Sequence, residues 1–304
     1  MSTESVTVVI ATRNRPEMLR ESIAAVWAQD HPGPIEVVVV FDQSEPDPSL
    51  ATVLGNRSVR VVTNTRSPGL AGARNTGIEA SEAPFVAFCD DDDYWAPSKV
   101  REQLALAAAH PQAGLVTCGI IVQYDGERHA RVLERDLVCF EDLLRDRHTE
   151  LHPSTFLLRR SVLVDRIGLV DEEVPGGFGE DYDFLLRSAK AHPVVNLRRP
   201  LVVVRWGGQS FFFQRWDTMA GGLTWLLERH PGFEGSPRGS ARLRGQIAFA
   251  HAAVSRRGVA ARWAAGAVRR SWREPRAYLA LAVAVGVVTP ARVMTTLHRH
   301  GRGI

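Results

Sequence analysis

The 304 residues are 45% hydrophobic and 23% charged, which excludes a disordered or fibrous chain and fits a soluble globular protein with a sizeable core. The net charge of +3 is unevenly spread: residues 238–304 hold thirteen Arg, no Lys and one acid, giving +12, and the other 24 basic and 33 acidic residues give −9. Such a division marks a basic appendage, suited to a polyanionic or membrane surface, beside a domain with chemistry of its own.

In chain order, "VTVVIA" (Val6–Ala11) is an apolar run, and "RPEMLRESIAAVWAQ" then spaces its apolar residues as a helix does, with Pro16 in the first turn. "IEVVVVF" (Ile35–Phe41), "VRVVTN" and "PFVAFC" are further strand-like runs, and "GLAGARNTGIEAS" is a second helix. Strands apolar on both faces, alternating with helices, predict an α/β fold with a mostly parallel sheet and helices on both faces. From about Gly114 the pattern loosens. "GLVTCGIIVQY" and "PSTFLLRRSVL" are expected as strands, with "EDLLRD" a short helix between them. "GEDYDFLLRSAKA" reads as a helix opened by acids behind the flexible "PGGFG", followed by a strand, "PLVVVRW", and a helix, "WDTMAGGLTWLLERH". The turn-rich "PGFEGSPRGS" (Pro231–Ser240) sets a boundary, so the expected domains are residues 1–235 and a basic helical C-terminal extension, 236–304.

The longest apolar run, Ala277 to Val288, falls well short of the ~20 residues of a membrane span. Cys89, Cys118 and Cys139 are odd in number and lack metal-type spacing, so they are expected as reduced core thiols. "VTVVIATRNRP" is too short for a secretory h-region and runs straight into arginines. The expected location is therefore cytoplasmic.

"PFVAFCDDDDYW" sets Asp90, Asp91, Asp92 and Asp93 directly behind a buried strand. Like charges this close repel and raise one another's pKa, so the run needs positive partners. Asp93 is expected to cap the helix opened by Pro97, which accounts for one carboxylate of the four. Hard cations such as Mg²⁺ or Mn²⁺ take oxygen ligands, and Mg²⁺ commonly joins one or two carboxylates to substrate phosphates. The competing reading is a solvated loop. Ligands in open α/β sheets bind at the carboxyl ends of strands, where the acidic run, Thr12, Asp42 and Asn64 all fall.

"VTVVIATRNRP", "IEVVVVFDQS", "GLAGARNTGI", "FVAFCDDDDYW" and "GFGEDYDFLLR" follow one another as in the bacterial-type family 2 glycosyltransferases. The chain resembles that family, of GT-A (Rossmann-like) fold, from Val6 to roughly Trp206. The resemblance implies a donor site made by Thr12, Arg13, Asp42, Arg74, Asp90 and Asp91, with Asp42 at the nucleotide base and Arg74 beside the nucleotide. It also implies that Asp92 and Asp90, the third and first positions of the Asp-x-Asp element, hold a Mg²⁺ or Mn²⁺ ion on the diphosphate. Asp181 falls on the catalytic base and Glu180 is the second candidate; the alternative for Asp181 is an acid that complements its helix dipole. The chain departs from the pattern at Phe41, which replaces an acid, at Gln43, which replaces a Gly, and at Trp206, where many relatives have a metal-binding His. His152 or water would then complete the metal shell.

The activity implied is inverting, metal-dependent transfer of a single sugar from a UDP-, GDP- or dTDP-sugar to a hydroxyl acceptor. The acceptor would be a cell-surface glycan, a lipid-linked intermediate or a natural product. A non-catalytic nucleotide-sugar-binding protein on the same fold is the alternative, and nucleotidyl transfer a third reading. His152 faces the acceptor or the diphosphate, or is structural. Trp206 and Phe211–Phe213 stack on a sugar or pack in the core. The arginines of the extension are expected to contact the anionic inner face of the membrane. Packing on the catalytic domain or forming a homodimer are the alternatives. No recognition motif accompanies the charge, so nucleic acid is not an expected partner.

Overall fold

The computed structural model describes residues 2–206 and 215–299; Phe211–Phe213 lie outside that range. The chain divides into two compact units. The first comprises Met1–Phe140, His148–Glu172 and Phe184–Trp206, and the second Glu141–Arg147, Glu173–Asp183 and Gly207–Ile304.

The first unit holds the whole sheet. Its strands are β1 (Val6–Thr12), β2 (Ile35–Phe41), β3 (Thr52–Leu54), β4 (Arg57–Thr63), β5 (Phe85–Phe88), β6 (Tyr94–Trp95), β7 (Leu115–Tyr124), β8 (Glu127–Arg131), β9 (Leu137–Val138), β10 (Leu157–Arg159) and β11 (Val194–Arg205). They run in the order β3-β4-β2-β1-β5-β10-β7-β11-β6, with β8 on β7 and β9 on β11. β4, β2, β1 and β5 are parallel; β10 is antiparallel to both β5 and β7, and β7 is parallel to β11. β1, β2, β4, β5, β7 and β11 therefore share one direction, and the reversed strands are two to five residues long.

Register aligns the strand ends. Thr12 pairs with Phe41, and Phe41 with Thr63, so Thr12, Asp42 and Asn64 emerge together. The bonds continue one step past the strands, from the Asp42 N–H to the Thr12 carbonyl and from the Asn64 N–H to the Phe41 carbonyl.

Alternation along β1 explains its cover. Val6, Val8 and Ile10 join a core cluster with Leu19, Ile23 and Val26 of α1 (Pro16–Trp27). Val9 points the opposite way, towards α2 (Leu70–Ala80), where a Cβ on Gly77 would come within 2.2 Å of Val9 Cγ1. Only glycine allows that helix to lie so close. α3 (Lys99–Ala109) adds Val100, Leu104 and Ala107 to the α1 side.

α4 (Phe140–Arg145) is the short helix expected from "EDLLRD". "PSTFLLRRSVL" is a strand only over β10 and then turns helical, as α5 (Arg160–Val162) and a π turn at Leu163–Ile167. α6 (Glu180–Ala191) is the acid-opened helix. Further along it, Phe184 lies against Phe88 and Phe156, with ring centroids 5.9 Å and 6.2 Å away.

In the second unit, α7 (Trp216–Arg229), α8 (Pro237–Ala253), α9 (Arg257–Arg270), α10 (Pro275–Ala284) and α11 (Pro290–Arg299) follow one another. Ala248 and Ala252 of α8, Ala260, Ala264 and Ala267 of α9, and Ala277, Ala280 and Ala284 of α10 form one alanine-rich core. Gly222 of α7 stands where a Cβ would meet the Phe178 carbonyl at 2.1 Å, so the glycine stretch before α6 packs on α7. Among the described residues, no helix is long and apolar enough to cross a membrane.

Candidate donor and catalytic sites

The β1–α1 turn brings two side chains to the acidic run. Asn14 takes a left-handed backbone (φ 55°), which asparagine tolerates, and Arg15 follows it. Arg15 Nη1 donates to Asp91 Oδ1 at 3.1 Å and to Asp92 Oδ2 at 2.9 Å. Thr12 Oγ1 donates to Asp91 Oδ2 at 2.8 Å. From α2, the buried Arg74 reaches Asp90 Oδ1 at 2.7 Å, with its guanidinium over the Phe88 ring.

Asp93 does not cap the following helix, contrary to the expectation. Ser98 precedes α3, and β6 intervenes, pairing Trp95 with Val202 and Tyr94 with Val203 of β11. That pairing turns the Asp93 carboxylate inward, where it is fully buried and accepts from Ser154 Oγ at 2.5 Å. Ser154 Oγ also accepts from the Asp90 N–H at 3.0 Å. His152 lies alongside, with Nδ1 3.4 Å from Asp93 Oδ2 and Nε2 3.9 Å from Asp90 Oδ2.

Two arginines, two hydroxyls and a histidine thus meet the run, and burial still raises three of its four carboxylates. Burial, followed by the charges of Asp90 and Asp91, pushes Asp92 up to about 6. Asp91 is also raised, by burial first, with the Thr12 bond and Arg15 opposing. Burial and the charges of Asp90 and Asp92 hold Asp93 well above its ordinary value. Excess negative charge in a partly dry site is what a divalent cation relieves. Ligand atoms of Asp90, Asp93 and His152 lie within 4.8 Å of one another, a mixed oxygen and imidazole set of the kind that takes a divalent cation. Asp92 is engaged by Arg15 beside them.

Asp42 is saturated. It accepts from Asn64 Nδ2 at 2.8 Å, from Gln43 Nε2 at 2.9 Å and from the Gly69 N–H at 3.1 Å. Burial would raise its pKa, but those bonds and the charge of the exposed Arg13 lower it. Gln43 has φ 49°, a left-handed backbone that glycine takes without cost, which accounts for the glycine usual at this position. Glu172, which the sequence reading missed, pins the loop before α2. Burial alone would raise it, but bonds from Asn75, Arg66 and Ser67 bring it down to about 2.

Trp206 follows Arg205, whose backbone N–H donates to Asp93. The Trp206 ring packs against the sheet core, with the Arg131 guanidinium 4.6 Å from the centroid. The histidine beside the acids is His152, from the loop before β10.

In the second unit, Gly179 (φ 95°) lets the chain turn into α6. Asp181 in the first turn accepts from Arg147 Nη2 at 2.6 Å. Glu180 is buried. Asp183 is also buried and bonds His230 Nε2 at 2.8 Å. Between them, Tyr182 donates to the Leu143 carbonyl at 2.5 Å and accepts from Arg242 at 2.8 Å. Of the three acids in that turn, Asp181 is the part-exposed one (27%).

A family model described as Glycosyl transferase family 2 matches residues 7–166. The chain is 29% identical over 195 residues to the uncharacterized glycosyltransferase YwdF of Bacillus subtilis (strain 168), covering 62% of this chain and 69% of that one. It is 29% identical over 196 residues to the uncharacterized glycosyltransferase EpsJ of the same strain, covering 60% and 55%. A shorter match, 26% over 102 residues, is to UDP-Glc:alpha-D-GlcNAc-diphosphoundecaprenol beta-1,3-glucosyltransferase WfaP of Escherichia coli, covering 33% of this chain and 40% of that one. Among solved structures, S. aureus TarS 1-349 in complex with UDP-GlcNAc aligns with a TM-score of 0.59 at 19% identity, over 98% of this chain and 92% of that one. Mannosyltransferase PcManGT from Pyrobaculum calidifontis, in complex with GDP-Man and Mn²⁺, aligns with a TM-score of 0.60 at 20% identity, over 98% and 85%. At such identities the structural likeness is one of fold. With the family model spanning more than half of its length, the chain belongs to glycosyl transferase family 2.

Proposed function

We propose that the chain is an inverting, metal-dependent glycosyltransferase that moves one sugar from a nucleoside diphosphate sugar to a hydroxyl acceptor. The observation that carries this reading is the cluster of Asp90, Asp93 and His152 ligand atoms, with Asp92 beside it, at the carboxyl end of β5. Asp90 and His152 would hold the ion, with Asp92 as the sequence-derived third ligand and Asp93 as its rival. A bound Mg²⁺ or Mn²⁺ supplies charge neutralisation to the diphosphate leaving group. Thr12, Arg13, Asp42 and Arg74 orient the nucleotide: Asp42 accepts from the base, and the two arginines add positive charge around it. Asp181 takes the proton of the attacking acceptor hydroxyl, with Glu180 as the second candidate.

A UDP-, GDP- or dTDP-sugar is the proposed donor, in line with the UDP-GlcNAc of TarS and the GDP-Man of PcManGT. The name of WfaP, which acts on a diphosphoundecaprenol-linked sugar, makes a lipid-linked hydroxyl the favoured acceptor. A place at the cytoplasmic face of the membrane follows, with the +12 of residues 238–304 meeting anionic lipid.

Calorimetry with UDP and GDP, with and without Mn²⁺, tests the donor site, and release of free nucleoside diphosphate on incubation with donor and acceptor tests the reaction. Equal nucleotide affinity in EDTA removes the metal from the reading. Tight donor binding without release of diphosphate leaves the non-catalytic binding protein, and release of pyrophosphate leaves nucleotidyl transfer.

A further inference from the structure

α10 has two apolar faces. Ala277, Ala280 and Ala284 are buried in the helical core. Tyr278, Leu281 and Val285, at the i, i+3, i+7 spacing of one face, are instead 49%, 36% and 70% exposed. Val287 (76% exposed) follows the end of the helix. Trp272 (66% exposed) precedes it, and its carbonyl accepts from the Tyr278 hydroxyl at 2.6 Å, joining the two aromatics. Of the ten large apolar side chains exposed among the described residues, these are five, gathered within residues 272–287. Scattered apolar side chains are ordinary on a surface; a contiguous ridge marks a contact.

The charge around the ridge selects the contact. Arg256, Arg270 and Arg276 have carboxylate partners, on Asp217, Glu234 and Glu274. No carboxylate pairs with Arg257, Arg262, Arg269, Arg273 or Arg292 among the described residues. Arg273 lies over the Trp272 ring at 4.8 Å, which sets a cation at the edge of the ridge. A second copy brought onto the ridge would carry another +12. An anionic lipid surface attracts the same charge and accepts the apolar side chains. Tryptophan and tyrosine favour that boundary, since each has an apolar body and a polar tip.

We infer that Trp272, Tyr278, Leu281, Val285 and Val287 form an insertion ridge that enters the interfacial region of an anionic phospholipid bilayer, with Arg273 at headgroup level. α10, at ten residues, is about 15 Å long and lies in the plane of the interface instead of spanning it. This inference rests on the proposed contact of the basic extension with anionic lipid and adds the apolar component to it.

The test is flotation of the full chain with vesicles of phosphatidylglycerol and phosphatidylcholine, or of phosphatidylcholine alone, at low and high salt. The variant is W272S/V285S/V287S, all at exposed positions, with thermal unfolding as the control for folding. The expected results are binding of the parent protein to the anionic vesicles and retention of part of it at high salt. The variant is expected to partition at least about tenfold less and to lose the salt-resistant fraction, because screening removes charge attraction but not apolar burial. If the parent protein fails to bind, both the lipid contact and the ridge are wrong. Salt-sensitive binding that the variant retains in full keeps the lipid contact and rejects the ridge. Self-association by light scattering, abolished in the variant and without lipid binding, would give the ridge to a second copy and overturn the inference.

Discussion

Arg147 and Asp181 are joined by a hydrogen bond of 2.6 Å from Nη2 to Oδ2, with side chains 14% and 27% exposed. The guanidinium also lies 5.5 Å from the centroid of the Tyr182 ring, and that ring is fixed in turn by Arg242 and the Leu143 carbonyl. The pair therefore sets the direction of one carboxylate in the first turn of α6.

Asp181→Asn is expected to fold normally and bind nucleotide as the parent protein does, while turnover falls by on the order of 10²-fold or more, the range for loss of a general base. Single-turnover kinetics beside nucleotide calorimetry measures the two separately. Near-parental turnover transfers the role to Glu180 or removes the mechanism.

Arg147→Met leaves the carboxylate in place but removes what aims it. We expect kcat to fall by about tenfold, less than in Asp181→Asn, with little change in donor KM. Arg147→Lys should recover only part of that loss, because an ammonium does not reproduce a planar guanidinium fixed against a ring. A thermal unfolding midpoint that drops without any change in kcat would make the pair structural.

Asp92 links charge to stability. Its pKa is raised to about 6, above the unfolded carboxylate value, because burial and the charges of Asp90 and Asp91 disfavour ionisation. The native state therefore binds the extra proton, and the stability this gives is present below about pH 4 and lost as pH rises through 6. Asp92→Asn should accordingly make the metal-free protein more stable near pH 8, by on the order of 1 kcal/mol after solvent screening, with the gain vanishing at low pH. The same variant should weaken Mn²⁺-dependent nucleotide binding. Denaturation across pH in EDTA checks the first effect and calorimetry the second. A variant that binds Mn²⁺ and nucleotide at parental affinity would pass the third-ligand role to Asp93.

Much of the fold was legible because buried strands and amphipathic helices leave periodic traces. β1, β2, β4, β5 and α1 fall where the apolar runs put them. Short elements leave no such trace: β6 is two residues long, yet it decides that Asp93 turns inward instead of capping α3. The candidate site was half legible for a related reason. Thr12, Asp42, Arg74 and the acidic run sit at strand ends or on a helix, where periodicity and motif order locate them. Arg15 and Ser154 reach the same carboxylates from the segments before α1 and β10, and no local spacing in "TRNRP" or "LHPST" separates them from solvent-facing neighbours; His152 is singled out only because Trp206 stands where many relatives have a histidine. Gln43 offers the reverse lesson. Its departure from glycine was visible in the sequence, and the structure supplies the cause, a left-handed backbone offset by a bond to Asp42.

Lys99 provides the last prediction. It opens α3 with its whole side chain buried, and Nζ has no hydrogen-bond partner. The amine lies over the Trp95 ring, 3.6 Å from Nζ to the centroid. Burial of the amine brings its pKa down to about 8, with Cys118 and Cys89 opposing weakly. Cation–π attraction at a desolvated site contributes ~2 kcal/mol, whereas leaving a buried ammonium without hydrogen bonds costs more than that. The native state therefore sheds its proton near pH 8, while the unfolded chain keeps it to about 10.4, and stability should rise across that window as the unfolded state binds more protons. Lys99→Met keeps the length of the side chain and removes the charge. It should stabilise the protein at pH 7 by on the order of 2 kcal/mol and flatten the rise between about pH 8 and 10. Chemical denaturation of both proteins at several pH values reads slope and offset together. If Lys99→Met is less stable than the parent protein at pH 7, the ammonium on Trp95 is worth more than its burial costs, and the packing of β6 against α3 depends on that charge.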